Sequence, residues 1–320
     1  MRLFVTGGAG FIGSNYARLA LSHDHEVTVY DALTYAGNVS TIQDLREKPG
    51  FDFIRGDICD LPALEEAMAG HDSVVHFAAE SHVDRSIAGP HDFITTNCVG
   101  TSNVMEAARR HEVDRVVHIS TDEAYGSIEE GSFSEIDALS PRSPYSASKA
   151  GSDLIALSYF STYGLPVVVT RASNNFGPYQ FPEKVIPLFI TNLFQNRKVP
   201  LYGDGGNVRD WCYVDDHCDA LDVVLHKGAI GEIYNIGAGN EVTNLELTHR
   251  LLELCGADSS MIEPVTDRLG HDRRYSVDSS KTRALGWKPS RDLDTALGAT
   301  VGWYRKNEAW WTPLIDRVAP

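Results

Sequence analysis

Short apolar runs recur through the first half of the chain: RLFVTG, EVTVYD, FDFIRGD, DSVVHFAA, RVVHIST and PVVVTRA. Each is rich in Val, Ile and Phe, a composition that predicts buried strands. Amphipathic stretches such as TSNVMEAARRH lie between several of them and predict helices. Strands that alternate with helical crossovers are parallel, so the fold class is α/β with a doubly wound sheet. After about Arg171 the pattern gives way to longer loops carrying Pro, Gly and Asn, and IYNIGAG is the one later segment that again reads as a sheet strand. The expected division is a dinucleotide-binding domain over residues 1–173 plus about 211–237, and a smaller α/β substrate lobe over about 174–210 plus 238–320. Such a lobe would lie over the carboxyl ends of the strands, the edge at which open α/β sheets bind ligands.

Composition narrows the partners. The chain has 320 residues, of which 28 are basic and 44 acidic, a formal charge of -16. That balance argues against nucleic acid or an anionic membrane as the main partner. Cys59, Cys98, Cys212, Cys218 and Cys255 are scattered with no C-x-x-C pair, so neither a disulfide framework nor a metal site is read, and a reducing cytoplasm is expected. The opening MRLFVTGGAGFIG is too short for a signal-peptide core, and no run approaches the ~18–20 apolar residues of a membrane span.

The segment GGAGFIGS follows the first strand and opens a helix. It can be read as Gly7-x-x-Gly10-x-x-Gly13 or as Gly8-x-Gly10-x-x-Gly13. Either spacing gives a tight turn, close approach of backbone N–H groups to a pyrophosphate, and a helix N-terminus carrying partial positive charge. Asp31 ends the second strand, where a carboxylate accepts hydrogen bonds from ribose hydroxyls and repels a 2′-phosphate, which favours NAD over NADP. Asp57 follows the third strand, either beside the adenine or as a solvated loop carboxylate. These features make the sheet Rossmann-type.

Tyr145 and Lys149 stand one helical turn apart in SPYSASKAGSD and face the same way. An ammonium near a phenol favours phenolate, so the expectation is a tyrosine with a lowered pKa that works as a base. With TGGAGFIG and the hydroxyl residue Thr121, the chain resembles the extended short-chain dehydrogenase/reductase superfamily. The resemblance implies proton exchange between Tyr145 and a sugar hydroxyl as hydride passes to the nicotinamide, and it leaves epimerases, decarboxylases and dehydratases open, with a non-catalytic NAD-binding regulator as the alternative outside enzymes.

Asp122 and Glu123 then discriminate. Eliminating water across C5 and C6 of a 4-keto sugar requires one group to remove the C5 proton and another to protonate the departing hydroxyl. Two adjacent carboxylates divide into one protonated and one ionised member, because like charges repel. Both reach one substrate only if the chain leaves strand geometry, since successive strand residues face opposite ways. From STDEAYG, HFAAESHVDRS, SNNFGPYQFPEKVIPLF, YGDGGNVRDW, EVTNLEL and DRLGHDRRY, the chain resembles the nucleotide-sugar 4,6-dehydratases, and most closely those acting on dTDP-glucose.

That resemblance implies NAD lined by Gly7, Gly10, Phe11, Ile12, Gly13, Asp31, Leu33, Thr34, Asp57, Ile58, Phe77, Ala78, Ala79, Ser81, Thr96, Tyr145, Lys149 and Asn175. It implies a nucleoside-diphosphate sugar held by Ser81, Thr121, Asn174, Lys184, Val185, Tyr202, Arg209, Asn244, Arg268, His271 and Tyr275, with a buried structural role equally open for Asn175 and Tyr275. Arg209, Arg268, Arg273 and Arg274 are expected to concentrate positive charge for the phosphates. Catalysis falls to Thr121, Asp122, Glu123, Tyr145 and Lys149, and a homodimer packed through helices near 100–112 and 149–162 is implied. Ala124, Phe176 and Leu269 depart from the usual family residues.

Overall fold

The computed structural model describes residues 1–267 and 270–317. Seven strands form one parallel sheet: β1 (Arg2–Thr6), β2 (Glu26–Asp31), β3 (Phe51–Arg55), β4 (Ser73–His76), β5 (Arg115–Thr121), β6 (Val167–Ala172) and, after three short strands of the lobe, β10 (Ile233–Ile236). These seven are the segments that the apolar runs predict. Their order is β10-β6-β5-β4-β1-β2-β3. The chain therefore winds outward from β1 to β3, returns to β4 on the other side of β1, and winds outward again. The crevice between the two windings, at the carboxyl ends of β1 and β4, is where such sheets bind ligands.

Every residue of β4 and β6 is buried, because helices cover both faces and neither face needs a polar alternation. On one face the helices Phe11–Ser22 and Val214–Lys227 pack Ala17, Ala20, Leu221 and Val224 against Leu3, Val5 and Val29. On the other, Leu61–Met68, Thr101–Arg110 and Pro144–Tyr163 bring Leu64, Val104, Met105 and Ala156 onto Phe4, Val74, Val116 and Val167. Each fully buried aliphatic or aromatic side chain contributes about 1.5–3 kcal/mol, and the entropy of ordering the chain opposes that sum.

The lobe has its own core of Phe176, Ile186, Phe189, Trp211, Leu247, Leu297, Tyr304 and Trp311. It contains a three-stranded sheet of β7 (Asn174–Phe176), β9 (Val208–Tyr213) and β11 (Glu241–Thr243), and a pair of β8 (Val199–Tyr202) with β12 (Ile262–Val265). β7 begins two residues after β6 ends, which carries the chain from the large sheet into the lobe.

Candidate functional site

The carboxyl ends of β1, β2, β4 and β5 surround a cavity of about 260 Å³. Its wall includes Gly7, Gly10, Phe11, Ile12, Gly13, Asp31, Thr34, Asp57, Ile58, Phe77, Ala78, Ala79, Ser81, Thr96, Tyr145 and Lys149. The glycine turn is built for close approach. Gly7 has a φ of +71°, and a Cβ there would lie 2.5 Å from the backbone nitrogen of Ala78. A Cβ on Gly13 would lie 2.5 Å from the Gly7 carbonyl oxygen, so the helix Phe11–Ser22 sits directly on the turn. Gly10, its N-cap, brings no side chain over the first N–H groups, and no acidic residue occupies the first turn. Those donors and the helix dipole suit a pyrophosphate.

Asp31 is 8% exposed, and its Oδ2 accepts from Ala9 N at 2.9 Å while Oδ1 accepts from Leu33 N at 2.8 Å. Burial raises its pKa, and these two N–H bonds oppose the rise. Each oxygen keeps further acceptor capacity for a diol. The turn, the carboxylate beyond it and the helix N-terminus together fit a dinucleotide.

β5 ends at Thr121, and residues Asp122–Ala124 turn at once into a single 3₁₀ turn capped by Thr121, whose Oγ1 accepts from Glu123 N at 3.3 Å. The departure from strand geometry expected of the acidic pair takes place at the pair itself. Asp122 is 2% exposed, and its Oδ1 accepts from Thr121 Oγ1 at 3.3 Å. Burial holds the Asp122 carboxyl well above the usual range and the Glu123 charge adds to the rise, while Arg209 opposes it. Burial and the Glu123 charge therefore favour the neutral acid at Asp122.

The helix Pro144–Tyr163 starts from a reciprocal cap, with Ser143 Oγ accepting from Ser146 N at 3.1 Å and Ser146 Oγ accepting from Ser143 N at 3.0 Å, and Pro144 opens its first turn. This start fixes Tyr145 and Lys149 at the sheet edge. Lys149 Nζ donates to the Ile119 carbonyl at 2.8 Å, and burial lowers its pKa to about 8 against the pull of Asp153. The Tyr145 phenol departs from the expected lowering. Burial raises its pKa and the Glu123 charge raises it further, while the Thr121 hydroxyl lowers it. One Lys149 donor is taken by the Ile119 carbonyl, and burial with the Glu123 charge outweighs the lowering that the Tyr-x-x-x-Lys spacing leads one to expect.

A second cavity, of about 200 Å³, adjoins the first and shares Gln180, Glu183 and Lys184 with it. Glu123, Asn174, Asn175, Lys184, Val185, Tyr202, Arg209, Asn244 and His271 line it. Lys184 Nζ donates to the Ser81 carbonyl at 2.6 Å, which ties the lobe to the loop after β4. Arg209 is 5% exposed, donates to the Asp272 carbonyl at 2.9 Å and lies over the Tyr275 ring, 4.2 Å from its centroid. Asn174 Oδ1, Asn175 Oδ1 and Gln180 Oε1 are buried without a hydrogen-bond partner among the described residues. Polar groups left open on a cavity wall call for a polar ligand.

The family model for GDP-mannose 4,6 dehydratase matches residues 4–300. A dTDP-glucose 4,6-dehydratase of an Actinoplanes species is 54% identical over 320 residues, covering 98% of this chain and 100% of that protein. The chain belongs to the nucleotide-sugar 4,6-dehydratase family. The crystal structure of a Streptomyces venezuelae dTDP-glucose 4,6-dehydratase, with NAD and TYD bound, matches at a TM-score of 0.96 and 53% identity over 98% of this chain and 100% of that one. A Thermus thermophilus UDP-glucose 4-epimerase, complexed with NAD, matches at 0.90 and 33% identity over 96% and 100%.

Within this dehydratase-family site several expected placements change. Leu33 does not line the first cavity; it adopts a φ of +57° and gives its N–H to Asp31. Asn175 lines the second cavity and not the first, with Nδ2 donating to the Ser173 carbonyl at 2.9 Å. Tyr275 is 4% exposed beneath Arg209 and donates to Asp272 Oδ2 at 2.8 Å, so it supports the guanidinium from behind. Arg273 pairs with Asp204 at 2.8 Å and Arg274 with Glu241 at 2.8 Å, both away from the cavity walls. Arg268 and Leu269 lie outside the described residues. Tyr35, Gln180 and Glu183 line the first cavity and escaped the sequence reading, although Gln180 and Glu183 stand inside the quoted SNNFGPYQFPEKVIPLF.

Proposed function

We propose that the protein removes water from a nucleoside-diphosphate hexose, converting dTDP-glucose to dTDP-4-keto-6-deoxyglucose as an NAD-dependent hydro-lyase. The observation that carries this reading is the 3₁₀ turn after Thr121, which puts Glu123 on the wall of the second cavity and buries the neighbouring carboxyl of Asp122 behind it, outside the lining of either cavity. NAD⁺, when bound, supplies the acceptor for the C4 hydride and its return to C6. Tyr145 takes the proton of the C4 hydroxyl, and Thr121 orients that hydroxyl. The charge on Glu123 opposes phenolate formation at Tyr145; Lys149, one helical turn away, and the positive charge that NAD⁺ would supply when bound are the opposing influences.

Glu123 removes the C5 proton that the neighbouring ketone acidifies, and Asp122 delivers its proton to the C6 hydroxyl as water leaves. Asp122 is buried and Glu123 half-buried, a difference that supports giving the acid's role to Asp122 and the base's to Glu123. Arg209, supported by Tyr275 and Asp272, meets the pyrophosphate, and Asn174, Lys184, Asn244 and His271 complete the sugar-nucleotide wall. On this reading residues 1–173 plus about 211–237 hold the dinucleotide, and about 174–210 plus 238–320 hold the sugar nucleotide.

The same reading includes a homodimer in a reducing cytoplasm. Ile87, Ile94, Val99 and Leu154 are 41%, 46%, 51% and 61% exposed on neighbouring helical segments, an apolar face suited to a second copy. All five cysteines are free thiols, which suits that compartment. Among the described residues no helix is long and apolar enough to cross a membrane. Incubation with dTDP-glucose and mass spectrometry tests the activity: loss of one water from the sugar is expected, and an isomer of unchanged mass would replace dehydration by epimerisation.

A further inference from the structure

At the edge of the sheet opposite the two cavities, His25 precedes the first residue of β2 while Asp222 and His226 lie one turn apart near the end of the helix Val214–Lys227. One potential ligand atom from each of the three lies within 4.8 Å of the others. We propose that His25, Asp222 and His226 form a binding site for a divalent transition metal of the zinc class, linking the start of β2 to that helix.

Four features of the cluster favour a metal. Two imidazoles and one carboxylate suit zinc, nickel or copper, whereas calcium and magnesium take oxygen ligands. Bonds of about 2.0–2.2 Å place tetrahedral ligand atoms roughly 3.3–3.6 Å apart, so a contraction of about 1 Å closes the set, within reach of an exposed His226 side chain. His226 Nδ1 lies 2.8 Å from the Asp222 carbonyl oxygen, which only accepts; the ring proton therefore sits on Nδ1 and leaves the Nε2 lone pair available. A backbone carbonyl behind the ring is the common support of a ligating histidine. Asp222 Oδ1 is buried with no hydrogen-bond partner among the described residues, so the carboxylate holds acceptor capacity that the protein leaves unused.

His23 Nδ1 stands 3.3 Å from Asp222 Oδ2 and is placed to serve as a fourth ligand. The site is independent of the dehydratase chemistry, since none of its residues lines either cavity.

The test is isothermal titration of the full chain, stripped with a chelator, with zinc chloride and with magnesium chloride. One zinc per chain and no comparable magnesium binding are expected. His226→Ala and His25→Ala are each expected to weaken zinc at least tenfold, about the loss seen when even an outer support of a metal ligand is removed. His249→Ala, at an exposed histidine outside the cluster, should bind as the parent does. With cobalt, the parent should show a visible spectrum free of thiolate charge transfer. Zinc binding unchanged in both cluster variants, a thiolate signature, or no zinc binding by the parent would overturn the proposal; turnover of dTDP-glucose is not the readout, so failure here leaves the dehydratase reading standing.

Discussion

Replacing Asp122 by Asn separates the two roles that the structure gives this carboxyl. Asp122 is 2% exposed, Oδ2 has no partner among the described residues, and burial followed by the Glu123 charge keeps it protonated well above the ordinary value of 3.8. In the unfolded chain the same group ionises near that ordinary value. Above pH ~4 the native state therefore binds up to one proton more than the unfolded state. Stability falls with rising pH, by as much as about 1.4 kcal/mol per pH unit from this group, until the pH passes the folded pKa. Asn has no proton to lose on unfolding, so the Asp122→Asn variant should gain on the parent at that slope. A fixed offset from the added amide N–H leaves the slope untouched. Urea midpoints measured from pH 4 to pH 8 in parent and variant read it directly. Turnover should fall about 10²–10⁴-fold, or roughly 3–5 kcal/mol of barrier, because the C6 hydroxyl loses its acid. A stability difference that stays flat with pH, or a variant that turns over normally, would refute the reasoning.

Tyr145→Phe should lower turnover about 10²–10⁴-fold while equilibrium binding of dTDP-glucose, followed by calorimetry, stays near the parent's. Lys149 titrates near 8 in the fold against an ordinary 10.5, so the unfolded chain binds the extra proton between those values and parent stability rises with pH across that window. Lys149→Met should lack this rise in denaturation series from pH 8 to pH 10.5. Gly7→Ala forces a Cβ to 2.5 Å from Ala78 N at a φ of +71°, and should cost more than about 1 kcal/mol in thermal unfolding and abolish the stabilisation that added NAD gives the parent.

The sequence is most legible where an element carries its own period. All seven sheet strands show as apolar runs: β4 and β6 are buried throughout, and even the edge strand β3 keeps Phe51, Phe53 and Ile54 half-buried; the glycine turn shows because only glycine tolerates the approach of Ala78 to Gly7. β7 and β11 have three residues each, too few to display alternation, so the lobe's small sheets stay hidden. Arg273 and Arg274 read as phosphate ligands because their ion-pair partners in the fold, Asp204 and Glu241, lie 69 and 33 residues away in sequence. The Tyr145 field is likewise a product of tertiary placement. The local Tyr-x-x-x-Lys spacing points to a lowered pKa, and burial with the Glu123 charge reverses the direction.

The account rests on Glu123 removing the C5 proton only after C4 has been oxidised. Mixing a Glu123→Gln variant with dTDP-glucose in a single turnover, while following nicotinamide absorbance and sugar mass together, tests this most directly. Accumulation of reduced nicotinamide with no loss of water is the predicted result. Dehydration at the parent's rate, or no reduction of nicotinamide at all, would contradict it.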